Sequence, residues 1–243
     1  MVDGILLTLG FLLHAFACHR TAAASHAATF LFGFAQYDQN QKEKESQELV
    51  TGMTFAENLA DDTTITFEEN AIVVILNAED EYEVIVEEPP KLEVTEELIE
   101  KNTTVSPSGQ EYYTIATINI PSINCYYPIL NLTTDELLKI SPCYFWGAEP
   151  NEIGNFCIVG HNYRSDKFFS KVPTLENGEI IEIKDLTGKT VKYAVYDKYI
   201  VEPEDVSCTS QKKQLDEQKT EITVITCTND SKKRVVVKAR AIE

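Results

Sequence analysis

Apolar and polar residues alternate through the C-terminal half of the chain, and this pattern predicts β-strands. Segments rich in Val, Ile, Thr and aromatic residues are separated by turn-forming pairs such as Asn177-Gly178 and Thr187-Gly188. The predicted strands cover 113–119, 123–129, 155–160, 179–184, 190–200, 221–227 and 233–242. A short helical segment is predicted at 134–140, and another turn at 166–171. The pattern therefore indicates an all-β domain over residues 112–243.

The last two predicted strands bring a thiol and a fixed positive charge together. Residues 222–226 all favour extended structure, and Cys227 ends the strand that they form. Residues 228–231 favour a turn, so a hairpin is the simplest connection to the strand that begins at Arg234. In such a hairpin Cys227 and Arg234 face each other, roughly 5 Å apart at the backbone. Alternation along the second strand places Arg234 on its more open face.

A histidine follows a third predicted strand. Residues 155–159 are mainly apolar, Gly160-His161 ends this strand, and the polar run 162–166 comes next. His161 is the only histidine beyond residue 26. Cysteine, histidine and arginine at strand ends suit acyl transfer. The imidazolium favours a thiolate, the thiolate attacks a carbonyl, and the guanidinium stabilises the oxyanion or holds the substrate backbone.

The segment around the cysteine resembles the signature of the sortases, the cysteine transpeptidases of Gram-positive cell surfaces. Thr223–Cys227 is similar to the family pattern Thr-Leu-x-Thr-Cys, with Val224 in place of the leucine. The family's Gly-His falls on Gly160-His161, and its arginine falls on Arg234. Further matches are Ile120-Pro121-Ser122-Ile123-Asn124 and Gly154-Asn155. The resemblance covers about residues 112–243.

The resemblance implies a closed eight-stranded β-barrel with short helices, in which His161, Cys227 and Arg234 are catalytic and Thr226 binds substrate. The implied reaction cleaves a sorting signal similar to Leu-Pro-x-Thr-Gly and forms a thioester on Cys227. An amine then takes the acyl group, typically on a peptidoglycan precursor such as lipid II or on a neighbouring pilin. The loop over about 200–221 is expected to read part of the signal. It is too short for the helical insertion of class B, and the absence of a C-terminal membrane segment and of an Asp-Pro-aromatic lid speaks against the pilus-type class C.

Two other function classes stay open. A cysteine endopeptidase would use the same three residues and differ only in resolving the thioester with water. A non-catalytic surface module would carry Cys227 as an ordinary buried thiol. Arg240 competes with Arg234, but six residues along a strand is about 20 Å, so both cannot reach one thiolate.

The other cysteines of the predicted barrel are expected to be core or near-surface thiols: Cys125, Cys143, Cys157 and Cys208. Burial in mid-strand should raise the pKa of Cys157 and leave it unreactive. A disulfide between Cys143 and Cys157 is an open alternative in an exported protein. The sequence has no Cys-x-x-Cys spacing, so a zinc site is not expected, and neither is another cofactor.

Negative charge is concentrated in one segment. Residues 38–111 carry 20 acidic side chains against 4 lysines, whereas 112–243 carry 18 acidic side chains against 16 Lys and Arg. Residues 37–111 are therefore interpreted as an acidic stalk, and the net charge of −18 says little about the site. Because no basic patch is present, nucleic acid is not an expected partner.

The first 36 residues are predicted to attach the chain to the membrane. Residues 4–17 and 27–35 are mainly apolar, but neither run reaches the roughly 20 residues that span a bilayer. We interpret 1–36 as an imperfect signal anchor that leaves the catalytic domain outside the cell, although no Lys or Arg precedes the apolar run. A signal peptide cleaved near Ala15-Phe16-Ala17 and a lipoprotein that uses Cys18 are the alternatives.

Overall fold

The computed structural model describes residues 35–57 and 92–242 of the chain. The chain forms two compact units, Met1–Glu45 and Ser46–Glu243. Residues 35–45 of the first unit are helical. The predicted anchor at 1–36 lies almost entirely outside the described residues. Within the described ranges, no helix combines the length and the apolar character needed to cross a bilayer.

The second unit consists mainly of strands. Its helices are residues 46–52 (α1), Glu96–Lys101 (α2), Leu137–Ile140 (α3) and Lys212–Glu217 (α4), and its 3-10 turns are Pro121–Ile123, Val172–Thr174 and Ser207–Thr209. Its strands are Thr103–Val105 (β1), Glu111–Ile120 (β2), Cys125–Leu130 (β3), Cys143–Gly147 (β4), Gly154–Val159 (β5), Ile180–Asp185 (β6), Thr190–Val201 (β7), Thr220–Cys227 (β8) and Arg234–Ala241 (β9).

Strands β2 to β9 close into a barrel. The order around it is β2-β3-β4-β5-β8-β9-β7-β6, and β6 pairs with β2 to complete the ring. The short strand β1 pairs with β2 outside this ring. The pairs β3–β4 and β5–β8 are parallel. The predicted closed eight-stranded barrel with short helices is confirmed.

Two layers of apolar side chains stabilise the strands that carry the candidate site. Inside the barrel, Phe156 and Val224 belong to the main core. On the outer face a smaller cluster of Cys208, Ile225 and Val236 lies where the β7–β8 loop covers the sheet. Val236 is fully buried, so the outer face of β9 is less open than alternation alone predicts.

All seven predicted strands form, and differences are confined to short elements. Strand β4 was missed although its residues favour strands; it forms only one register pair with β3, and its pairing with β5 shifts register between Tyr144 and Trp146. The helix predicted at 134–140 is shorter, but Thr134 accepts a hydrogen bond from the amide of Leu137, as a capping threonine does (3.2 Å). The segment 166–171, predicted to form another turn, consists of bends and a turn, and a 3-10 turn follows it.

Part of the predicted stalk packs within the barrel unit. Leu98 of α2 is fully buried and clusters with Met53, Ala56 and Leu186. The side chain of Asn102 donates to the carbonyl of Thr54 (2.8 Å). The domain boundary at residue 112 stays a prediction, but residues 53–56 and 96–102 have tertiary contacts that an extended spacer would lack.

Candidate active site

Three adjacent strands bring the predicted site residues to one edge of the barrel. Strands β5 and β8 are parallel, with Val159 opposite Ile225, and the amide of Gly160 still donates to the carbonyl of Ile225 (3.1 Å). His161 and Cys227 each lie two residues beyond the last register pair, so both lie at the same edge of the sheet. Cys227 is the register partner of Arg234 in the antiparallel β8–β9 pair. The predicted hairpin pairing is thus observed, and all three side chains are partly exposed.

The loop after β5 fixes the backbone and ring of His161. Its carbonyl accepts a hydrogen bond from the amide of Phe169 (3.1 Å). The imidazole lies 5.1 Å from the ring of Tyr163, which in turn meets Phe168 edge-on at 5.3 Å. Phe168 stacks on Tyr127 inside the barrel. The imidazole is therefore supported by a series of aromatic contacts that reaches the core.

The surroundings of His161 favour its neutral form. Burial of the imidazole lowers its pKa below the usual 6.5, and the positive charge of Lys139 lowers it further. The carboxylate of Asp135 acts in the opposite direction. Both charged residues belong to the segment between β3 and β4, which sequence reasoning did not connect with the histidine.

A neighbouring amide holds the backbone of Cys227 in place. The side chain of Asn162 donates to the carbonyl of Cys227 (2.9 Å) and to the side-chain oxygen of Asn229 (3.1 Å). Asn162 directly follows His161, so this bond ties the end of β8 to the chain that carries the imidazole. Sequence reasoning missed Asn162, because only the strand order shows that it lies across from Cys227.

The remaining described cysteines are buried free thiols, and none is in a disulfide among the described residues. Burial raises the pKa of Cys143 and of Cys157 to about 12. The register places Cys143 opposite Val159 and Cys157 opposite Trp146, so the two cysteines are not cross-strand partners. Cys227 is the described cysteine with partial exposure.

The two arginines of β9 have different surroundings. Arg240, at the opposite end of the strand, lies 3.3 Å from the buried carboxylate of Glu221 and stacks over the ring of Tyr196. Arg234 is hydrogen-bonded to the carbonyl of the preceding residue, Lys233 (3.3 Å). Arg234 is therefore the arginine placed beside Cys227, as the hairpin predicted.

Thr226 makes a hydrogen bond that connects two strands of the site. Its side chain is 1% exposed, and its hydroxyl donates to the carbonyl of Gly160 (2.8 Å). This bond joins β8 to the end of β5 just before Cys227 and His161. The substrate contact assigned to Thr226 stays a prediction.

Two cavities lined by described residues lie away from this edge. One of about 780 Å³ is lined by residues around the β6–β7 turn, including Asp185 and Gly188. Another, of about 330 Å³, lies between β4 and α4 and is lined by residues such as Trp146 and Leu215. Neither cavity includes any of the three predicted site residues. The described residues contain no cluster of side chains suited to hold a metal ion.

The chain is thus a closed β-barrel that carries a thiol, an imidazole and a guanidinium at one edge, and this combination defines its class of protein. The chain belongs to the sortase family: the model of the sortase domain matches residues 118–242. This family membership supports a cysteine transpeptidase. Sortases are in general cell-surface enzymes.

Solved structures of sortases are similar to this chain. A sortase D5 transpeptidase from Clostridium perfringens is 32% identical, with a TM-score of 0.49, over 54% of this chain and 80% of that chain. Sortase A from Corynebacterium diphtheriae is 25% identical, with a TM-score of 0.50, over 61% and 70% of the two chains. Sortase C-1 from Actinomyces oris is 25% identical, with a TM-score of 0.48, over 53% and 73%. A comparison with curated proteins gave no match.

Proposed function

We propose that this protein is a sortase-type cysteine transpeptidase whose catalytic residues are His161, Cys227 and Arg234. The register carries the proposal: Cys227 lies opposite Arg234, and His161 and Cys227 each lie two residues beyond Val159 and Ile225, the last parallel pair of β5 and β8. The substrate is a surface protein with a sorting signal similar to Leu-Pro-x-Thr-Gly. The acceptor is an amine of a peptidoglycan precursor such as lipid II, or of a pilin.

The proposed reaction has two acyl-transfer steps. The thiolate of Cys227 attacks the scissile carbonyl carbon, and Arg234 donates hydrogen bonds to the oxyanion or to the substrate backbone. The imidazolium of His161 gives its proton to the leaving amine as the peptide bond breaks, which leaves a thioester on Cys227. Neutral His161 then takes a proton from the incoming amine. The new amide forms and the thiolate leaves, which restores the starting state.

The proposed location follows from the family and from the N-terminal sequence. The apolar runs within residues 1–36 would anchor the chain in the membrane, with part of the acidic segment 37–111 as a stalk and the barrel outside the cell. An extracellular barrel would meet both sorting signals and cell-wall amines. Labelling of intact cells with a membrane-impermeant reagent would test this orientation.

The test of the reaction uses the full chain with a library of Leu-Pro-x-Thr-Gly peptides and a glycine-peptide amine, analysed by mass spectrometry. We expect a transfer product with wild-type protein and none with Cys227→Ala. Cys157→Ala is the matched control, because the Cys157 thiol is buried with a pKa of about 12. That variant should retain transfer.

The outcomes separate the function classes. Cleavage without transfer would favour the endopeptidase. No reaction, together with a Cys227 thiol that alkylates no faster than a free peptide thiol, would favour the non-catalytic module. If the Cys227→Ala variant still forms the transfer product, Cys227 is not the nucleophile.

A further inference from the structure

The loop between β7 and β8 is joined to the barrel through Asn155 and Gln211. The backbone amide of Asn155 donates to Oε1 of Gln211 (2.7 Å), and Nε2 of Gln211 donates back to the carbonyl of Asn155 (2.8 Å) and to that of Thr209 (2.9 Å). The Gln211 side chain thus bonds to both backbone groups of Asn155, whose carbonyl also accepts from the amide of Ala148 (3.2 Å). The side chain of Asn155 donates to the carbonyls of Cys208 (3.0 Å) and Ser210 (3.3 Å).

Two glycines make room for this contact. A Cβ at Gly147 would collide with the carbonyl of Asn155 and with Nε2 of Gln211, and one at Gly154 would lie 3.0 Å from Oε1 of Gln211. Both glycines have positive φ, +103° and +131°, which residues with side chains rarely adopt. The backbone around Asn155 therefore has a shape that admits the Gln211 amide, and the contact is more than an incidental surface bond.

The Asn155 side chain also reaches the nucleophile strand. Asn155 is fully buried, and its Oδ1 accepts a hydrogen bond from the hydroxyl of Thr223 (2.7 Å). Thr223 lies on the same face of β8 as Cys227, four residues before it. One buried amide therefore connects the loop, β5 and β8.

The loop runs along the outer face of the sheet from the candidate site to this contact. It leaves β7 after Val201, whose register partner is Arg234, and enters β8 at Thr220, opposite Gly154 at the start of β5. Between these ends, Cys208 packs on the side chains of Ile225 and Val236. Ile225 lies two residues before Cys227 on β8, and Val236 lies two residues after Arg234 on β9. Each pair therefore shares one face of its strand. The loop therefore borders the edge where the thiol lies.

We propose that Asn155 and Gln211 are positioning residues that influence substrate specificity. They hold residues 202–219 in place, and these residues form a wall that contacts a peptide bound at Cys227. The inference rests on the proposed function. Because His161 and Cys227 are held by the β5–β8 pairing, loosening the loop should weaken peptide binding and selectivity while the reacting groups stay in place. Gln211 and Asn155 themselves touch neither the thiol nor the substrate in this assignment.

The test compares Gln211→Glu with Gln47→Glu in the full chain. Gln211→Glu keeps the acceptor for the Asn155 amide but loses the donor to two carbonyls. Gln47 of α1 lies outside the loop, and its side chain donates to the carbonyl of Tyr126 (3.0 Å). We expect Gln211→Glu to raise KM for the sorting peptide roughly tenfold. It should also reduce the preference between two sorting peptides and leave kcat and the alkylation rate of Cys227 unchanged. Gln47→Glu should match the wild type.

The experiment distinguishes failure of the positioning role from failure of the proposed function. If wild-type protein transfers no peptide, the proposed function fails; if it does and Gln211→Glu retains the wild-type KM, the positioning role is overturned. An equal fall in kcat and in alkylation rate would also overturn it, because the contact would then act on the thiol. If Gln211→Glu melts early, Gln211→Met, which adds no charge and keeps the volume, gives the same comparison.

Discussion

At the scale of single residues, His161 has the surroundings that decide the protonation state of the site. Burial and Lys139 lower its pKa, so its imidazolium is lost as the pH rises through a value below the usual one. The proposed mechanism uses the imidazolium to protonate the leaving amine. The ionisation of His161 should therefore appear as one limb of the pH profile of kcat/KM.

Lys139→Gln should test the electrostatic control of His161. Removing the cation raises the pKa of His161, so the limb of the kcat/KM profile that reports His161 should move to higher pH. We expect a shift of about 0.3–0.7 pH unit, because the interaction is partly screened. The measurement is kcat/KM from about pH 5 to 10.

Asp135→Asn is the matched opposite variant. Its carboxylate raises the pKa of His161, so its removal should shift the same limb in the other direction. Lys189→Gln, at the β6–β7 turn, should leave the profile unchanged. Shifts of the same sign for Lys139→Gln and Asp135→Asn would contradict this account of the site.

At the scale of elements, the sequence predicted the strands better than their partners. β-Branched runs identified β8 and β9, and the turn residues between them correctly predicted that Cys227 faces Arg234. The parallel neighbour of β8 could not be predicted from local pattern, because β5 lies more than sixty residues upstream. Asn162 and Gln211 were missed for the same reason: their partners are distant in sequence and close only in the closed barrel.

The turn between β8 and β9 should matter for catalysis through Arg234. The hydroxyl of Thr228 bonds to Asp230 (2.6 Å) and accepts from the amide of Lys233 (3.1 Å), the residue before Arg234. Thr228→Val removes the hydroxyl at nearly constant volume. We expect a loss of about 1 kcal/mol in the free energy of unfolding and a fall of roughly three- to tenfold in kcat/KM.

Thr174→Val is the control for that variant. The Thr174 hydroxyl also makes one local hydrogen bond, to the carbonyl of Lys171 (2.8 Å), but it lies in the 3-10 turn that follows the His161 loop. It should change stability slightly and activity hardly at all. Equal activity of the two variants would show that the turn does not control the position of Arg234.

At the scale of the whole molecule, the barrel is larger than the sequence match. The family model begins at residue 118, yet α2 and the segment around Met53 pack on the β6–β7 turn through Leu186. The amide of Ala56 also donates to the carbonyl of Leu186 (2.8 Å). Composition did not reveal this contact, because the acidic residues that surround these few apolar positions dominate the average.

Leu98→Ala tests whether this packing contributes to the folded state. Leu98 is fully buried, so its truncation leaves a cavity and should cost about 2–5 kcal/mol. For a unit of this size the melting temperature should fall by about 5–15 °C, measured by calorimetry on the full chain. Leu92→Ala is the control, since Leu92 is 39% exposed, and it should shift the melting temperature by only about 2 °C or less. Equal shifts for the two variants would place α2 outside the cooperative unit. A large shift for Leu98→Ala alone means that the barrel needs residues before 112 for its full stability, because part of its hydrophobic core lies there.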